Sequence, residues 1–69
     1  MDQELLAAAA SWFVSMKTLE SKYHNPTQYQ RAAITAQRNK YRRMLSIGGF
    51  DIDKIEKMFE RIWRSAIKS

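Results

Sequence analysis

The side chains in this sequence that are capable of chemistry are few, and their spacing decides what they can do. Cysteine is absent and there is one histidine, His24, in the run Tyr23-His24-Asn25-Pro26. The first fact removes disulfides and thiolate metal sites, and the second leaves no ligand set for zinc. Nucleophilic catalysis needs a base within reach of the nucleophile and a third group that orients the base, and a lone histidine at a helix junction offers neither. The only dense carboxylates are Asp51, Asp53, Glu56 and Glu60. They lack the glycine turn and the ligand spacing of a calcium loop, and are better explained as a helix cap and first-turn acids. Glu60 also stands four residues before Arg64, the spacing of a helical ion pair. These residues predict no enzyme, no cofactor and no metal.

The cations are more informative. The chain carries a formal charge of +5, and a predicted second helix holds Arg31, Arg38, Lys40, Arg42 and Arg43 with no acid. The segments before and after it roughly cancel, so the surplus belongs to this helix. Arg31, Arg38 and Arg42 share its polar side at 100° per residue, a stripe suited to phosphates or acidic side chains. Arg31, Arg38, Arg42 and Arg43 are therefore the candidate nucleic-acid contacts, with Gln28, Gln30, Gln37 and Asn39 available to read base edges. Over Gln37 to Arg43 the chain resembles the basic end of a homeodomain recognition helix. It lacks the aromatic core pair of that motif, and a further helix follows.

Three helical segments must position these groups, which predicts an all-α single domain over residues 1–69. The first spans residues 3–23, with Leu5, Ala9, Trp12, Met16, Leu19 and Tyr23 in one apolar stripe. Asp2 and Glu4 suit its start. Its apolar run is too short to span a bilayer, and the acidic flank is wrong for a signal peptide, so a cytoplasmic protein is expected. Asn25 as N-cap, Pro26 at the first helical position and Gln28 as capping partner start a second helix over 26–46. So short a connection predicts an antiparallel hairpin, packed closely where alanines meet. Gly48-Gly49 ends that helix, with Phe50 folding back, and Asp51 caps a third over 52–67. In it Ile52, Ile55, Met58, Phe59, Ile62, Trp63 and Ala66 oppose Lys54, Lys57, Arg61, Arg64 and Lys68. That pattern also occurs in membrane-surface helices, but the acids on one edge oppose anionic lipid, so no membrane partner is expected.

One apolar feature is left over. Leu6, Ala10, Phe13 and Val14 flank the stripe of the first helix, giving it more apolar surface than one partner helix covers. A 69-residue chain is marginal without disulfides, metal or oligomerisation, and only the last remains open. These four residues are the predicted seam of a symmetric homodimer. Tyr41, Arg42, Arg38, Phe59 and Trp63 are the candidate anchors for a larger protein, being of the types that dominate interfaces. By analogy of size and architecture, the expected function is a homodimeric regulator or inhibitor of the phage or mobile-element kind that docks on and blocks a host protein such as a transcription factor or ATPase. The alternatives are a nucleic-acid-binding regulator and a small secretion-type chaperone; Asn25 to Gln30 is similar to a turn in some of the latter.

Overall fold

A computed structural model describes residues 2–68, and within them every regular element is helical: α1 (Gln3–Lys22), α2 (Gln28–Ile47) and α3 (Ile52–Lys68). The Asp2 carboxylate caps α1, accepting from the backbone N–H groups of Glu4 and Leu5 at 3.1 Å each. The helix ends at Tyr23, whose backbone is extended.

The start of α2 differs from the expected one by two residues. Thr27 is the N-cap, and Pro26 stays in the connector. The Gln30 N–H donates to Thr27 Oγ1 at 3.1 Å, and the Thr27 N–H donates to Gln30 Oε1 at 2.9 Å. Two overlapping three-residue spacings compete here, Asn25 with Gln28 and Thr27 with Gln30. The second carries the hydroxyl and amide of a reciprocal capping box, so it satisfies two end donors at once.

α1 and α2 run antiparallel and pack closely. Ser15 meets Gln37, Phe13 meets Tyr41 and Trp12 meets Lys40, so descending numbers on one helix face ascending numbers on the other. The buried core consists of Ala9, Phe13 and Met16 from α1, Ile34, Tyr41 and Leu45 from α2, and Phe59 alone from α3. Of the alanines, Ala9 is fully buried against α2, whereas Ala32 and Ala36 are exposed. Ala8, Ala10 and Ala33 are half-buried, so small side chains on both helices lie at or near the core, and the exposed alanines act as helix formers.

The turn after α2 sets where α3 goes. The Phe50 N–H donates to the Leu45 carbonyl at 2.9 Å and the Gly49 N–H to that of Ser46 at 3.1 Å, the paired bonds of a Schellman ending. Gly49 takes φ +76°, which disfavours any side chain. A Cβ on Gly48 would lie 2.7 Å from the Phe50 ring, so this glycine lets Phe50 fold back toward the core. Asp51 then caps α3 as expected, accepting from the Lys54 N–H at 3.3 Å.

The result is a flat molecule, 38 × 30 × 18 Å. It exposes 5249 Å². A compact monomer of this mass is expected to expose about 4500 Å², so the fold leaves more surface uncovered than its size requires.

Candidate functional site

The turn at Gly48-Gly49 brings the first turns of α3 back across the last turns of α2, and there three side chains meet. The Tyr41 phenol donates to Glu56 Oε2 at 2.5 Å, and Arg42 Nη1 donates to both Glu56 oxygens at 2.9 and 3.0 Å. Tyr41 is itself 1% exposed. Its burial, reinforced by the neighbouring Glu56 carboxylate, pushes the phenol far above its ordinary value. Burial also works to raise Glu56, but hydrogen bonds from Tyr41 and Arg42 outweigh it and hold the carboxyl below its usual range. The same hydrogen bond raises Arg42. This cluster is a locked joint between two helices, with its polar atoms facing one another.

A second ion pair ties α3 to α1. Lys17 Nζ lies 2.6 Å from Glu60 Oε1, so Glu60 bonds across helices rather than to Arg64 as its spacing suggested. Lys17 also sits 5.6 Å from the centre of the Phe13 ring, a cation–π approach on the edge of the core.

With Glu56 and Glu60 so occupied, the cations beside them stand out. A cleft of about 900 Å³ is lined by Arg38 and Arg42 of α2, by Lys57, Arg61, Arg64 and Lys68 of α3, and by Met16, Tyr41 and the two glutamates at its base. Among the described residues, no carboxylate lies within ion-pairing distance of Arg38, Lys57, Arg61 or Arg64. The expected arginine stripe of helix 2 is thereby divided. Arg38 and Arg42 face this cleft, Arg42 already committed to Glu56, whereas Arg31 and Arg43 are exposed elsewhere on α2. The expected base-reading set is also reduced, because Gln30 closes the capping box and Gln37 Oε1 accepts from the Ser15 hydroxyl at 3.3 Å. Lys40 lies over the Trp12 ring at 4.2 Å.

A second surface lies between α1 and α3. An apolar groove of about 300 Å³ is lined by Ala10, Phe13, Val14, Phe59, Ile62, Trp63 and Ala66. Three of the four predicted seam residues line this groove, and their burial differs. Phe13 is buried in its own subunit, edge-on to Tyr41 with ring centres 5.5 Å apart and tilted against Phe59 at 5.3 Å. Leu6 and Ala10 are half-buried against the same core, and Val14 alone of the four is largely exposed. Phe59 of the third helix and Tyr41 of the second thus cover Phe13. Tyr41 and Phe59, predicted as partner anchors, are core residues, and the exposed large apolar side chains are Val14, Tyr29, Ile47, Met58, Ile62 and Ile67. Trp63 is partly buried against the core and Arg38 is exposed.

Compared with known protein families, with curated proteins and with solved structures, the chain shows no significant match. What these surfaces can do rests on their own chemistry. Among the described residues, no group of three or more metal-ligating side chains converges, and no helix is long and apolar enough to cross a membrane.

Proposed function

We propose that this chain is a non-enzymatic, self-associating helical module that regulates a larger protein by occupying its surface, and that the α1–α3 groove is the seat of self-association. The observation that carries the reading is the uncovered apolar face of α3. Ile62 is 59% exposed and Val14 across the groove is 48% exposed, although both lie beside the core residues Phe13 and Phe59. Contiguous apolar surface of this kind is where proteins associate.

Charge supports a second copy as the occupant. Two molecules of formal charge +5 repel each other wherever their basic faces approach. On α3 the cations Lys57, Arg61, Arg64 and Lys68 lie opposite the apolar stripe, and every residue lining the groove is uncharged. A two-fold pairing of α3 against α3 therefore buries Val14, Ile62 and Ala66 while keeping both basic faces outward. The surface left over, including Arg38, is then available to the larger partner.

The test is sedimentation of Val14→Asp and Ile62→Asp at micromolar concentration. Both variants are expected to be monomeric with unchanged helicity, while the parent chain is a dimer. A parent chain that sediments as a monomer would overturn the assignment, as would a dimer that survives both substitutions.

A further inference from the structure

The α2–α3 cleft is the other feature not explained by folding, and we infer that it binds the phosphate backbone of duplex nucleic acid without reading its sequence. The site shares Arg38 and Arg42 with the α2 stripe but not Arg31 or Arg43. It depends on Lys57, Arg61, Arg64 and Lys68, which recur at steps of four, three and four along α3 and so form one row, with Arg38 opposite them on α2. Lys57 to Lys68 covers about 17 Å of helix at a rise of about 1.5 Å per residue. One strand of a duplex presents about five phosphates over that length, at about 3.4 Å each. The row thus matches a regularly repeated anion.

Four further observations favour phosphate over other ligands. Among the described residues, the only carboxylates in the lining, Glu56 and Glu60, are held by Tyr41, Arg42 and Lys17, so they draw little from the row. Four of the six lining cations are arginines, two on each wall, whose forked donors suit phosphate oxygens. The large apolar side chains at the base, Met16 and Tyr41, are buried, so no aromatic face is offered for stacking an unpaired base. The lining contains no asparagine or glutamine to read a base edge. Apart from the Ser65 hydroxyl and the Tyr41 phenol committed to Glu56, the lining donors are cations, and such contacts hold a duplex chiefly by charge.

The experiment is fluorescence anisotropy with a short mixed-sequence DNA duplex and the full chain across a salt series. Five phosphate contacts correspond to a logarithmic salt slope near −4.5, or about a 500-fold loss of affinity between about 50 and 200 mM salt. Arg61→Gln and Arg64→Gln are each expected to flatten the slope by about 0.9, and Arg61→Lys to restore it. Both arginines are exposed, and circular dichroism verifies that the variants remain helical. Arg31→Gln and Arg43→Gln, outside the cleft, are expected to leave the slope unchanged. No binding at low salt, an equal effect of the Arg31 and Arg43 variants, or displacement of the duplex by polyglutamate as readily as by a second duplex would each overturn the inference. The last outcome would assign the cleft to an acidic protein instead.

Discussion

The α1–α2 hairpin and α3 are held by different physics. Between α1 and α2, Ala9, Phe13 and Met16 share one core with Ile34, Tyr41 and Leu45, with Ala9 and Leu45 fully buried. α3 contributes one buried side chain, Phe59, with Ile52, Ile55 and Trp63 partly buried against the core, and is fastened as well by polar links at Glu56 and Glu60. Its apolar face is broader than what it buries, since Met58, Ile62 and Ile67 remain exposed. A hairpin built this way is a core. A helix attached this way is a surface, with one side offered to apolar partners and the other to anions, and both proposed binding sites use it.

The largest expected effect tests that contrast directly. Phe13 contacts both Tyr41 and Phe59, so Phe13→Ala removes an aromatic from the point where all three helices meet. A loss of about 3–5 kcal/mol is expected, the range for buried phenylalanine truncation, and this is enough to unfold much of a small domain. Phe59→Ala should be less global. It is expected to free α3 while the hairpin stays folded, so that hydrogen exchange protection is lost across α3 amides and kept in α1 and α2. Simultaneous loss of protection in all three helices would show that the hairpin depends on α3 as much as the reverse.

The joint at Tyr41, Arg42 and Glu56 separates the two kinds of attachment on a smaller scale. Glu56→Ala leaves a buried phenol without its acceptor and is expected to cost about 2 kcal/mol, whereas Tyr41→Phe removes the donor, leaves Glu56 bonded to Arg42, and should cost about 1 kcal/mol. The pH dependence follows from the shifts. Glu56 is held below its ordinary value in the folded chain, so its contribution is present above about pH 4.3 and is lost as the pH falls through the lower folded value. Tyr41 is raised on folding, so its contribution is complete below about pH 10 and is lost as the pH rises toward its folded value. Denaturant midpoints against pH are expected to decline at both ends. Tyr41→Phe should remove the alkaline decline, and a decline of unchanged size in that variant would assign it to other groups.

How far these features could be read in advance depended on whether they were local. The stripe from Leu5 to Tyr23, the glycine ending and the Asp51 cap each involve residues within a few positions of one another, and period and capping chemistry are sufficient to place them. The site was less legible because it is made by α3 crossing two other helices. Phe13 and Val14 are neighbours on the flank of α1, yet one is buried and the other half-exposed, since α3 docks over only one of their directions. Glu56 resembled a first-turn acid, and its partners Tyr41 and Arg42 lie on the far side of the glycine turn. The adjacent Tyr41-Arg42 pair, one helical turn before Leu45, was the signal available. It required knowing that α3 folds back. The same return crossing assembles the basic cleft from two helices, which charge counts along either one do not disclose.

The smallest expected effect concerns the connector that fixes the hairpin. Thr27→Ala deletes the hydroxyl that accepts from the Gln30 N–H, and loss of such a cap is worth about 1 kcal/mol. Asn25→Ala, at the position that the Pro26 pattern favoured, touches no bond of the cap and is expected to stay within about 0.5 kcal/mol of the parent. The pair is informative because the two substitutions lie in the same exposed connector, so composition and burial are nearly matched and only the hydrogen bond differs. Gln30→Ala should lie between them, since it removes the side-chain half of the box, the bond from the Thr27 N–H, and leaves the Thr27 hydroxyl in place. Equal losses for Asn25→Ala and Thr27→Ala in thermal denaturation would mean that α2 begins where the proline pattern put it, two residues earlier than the capping box does.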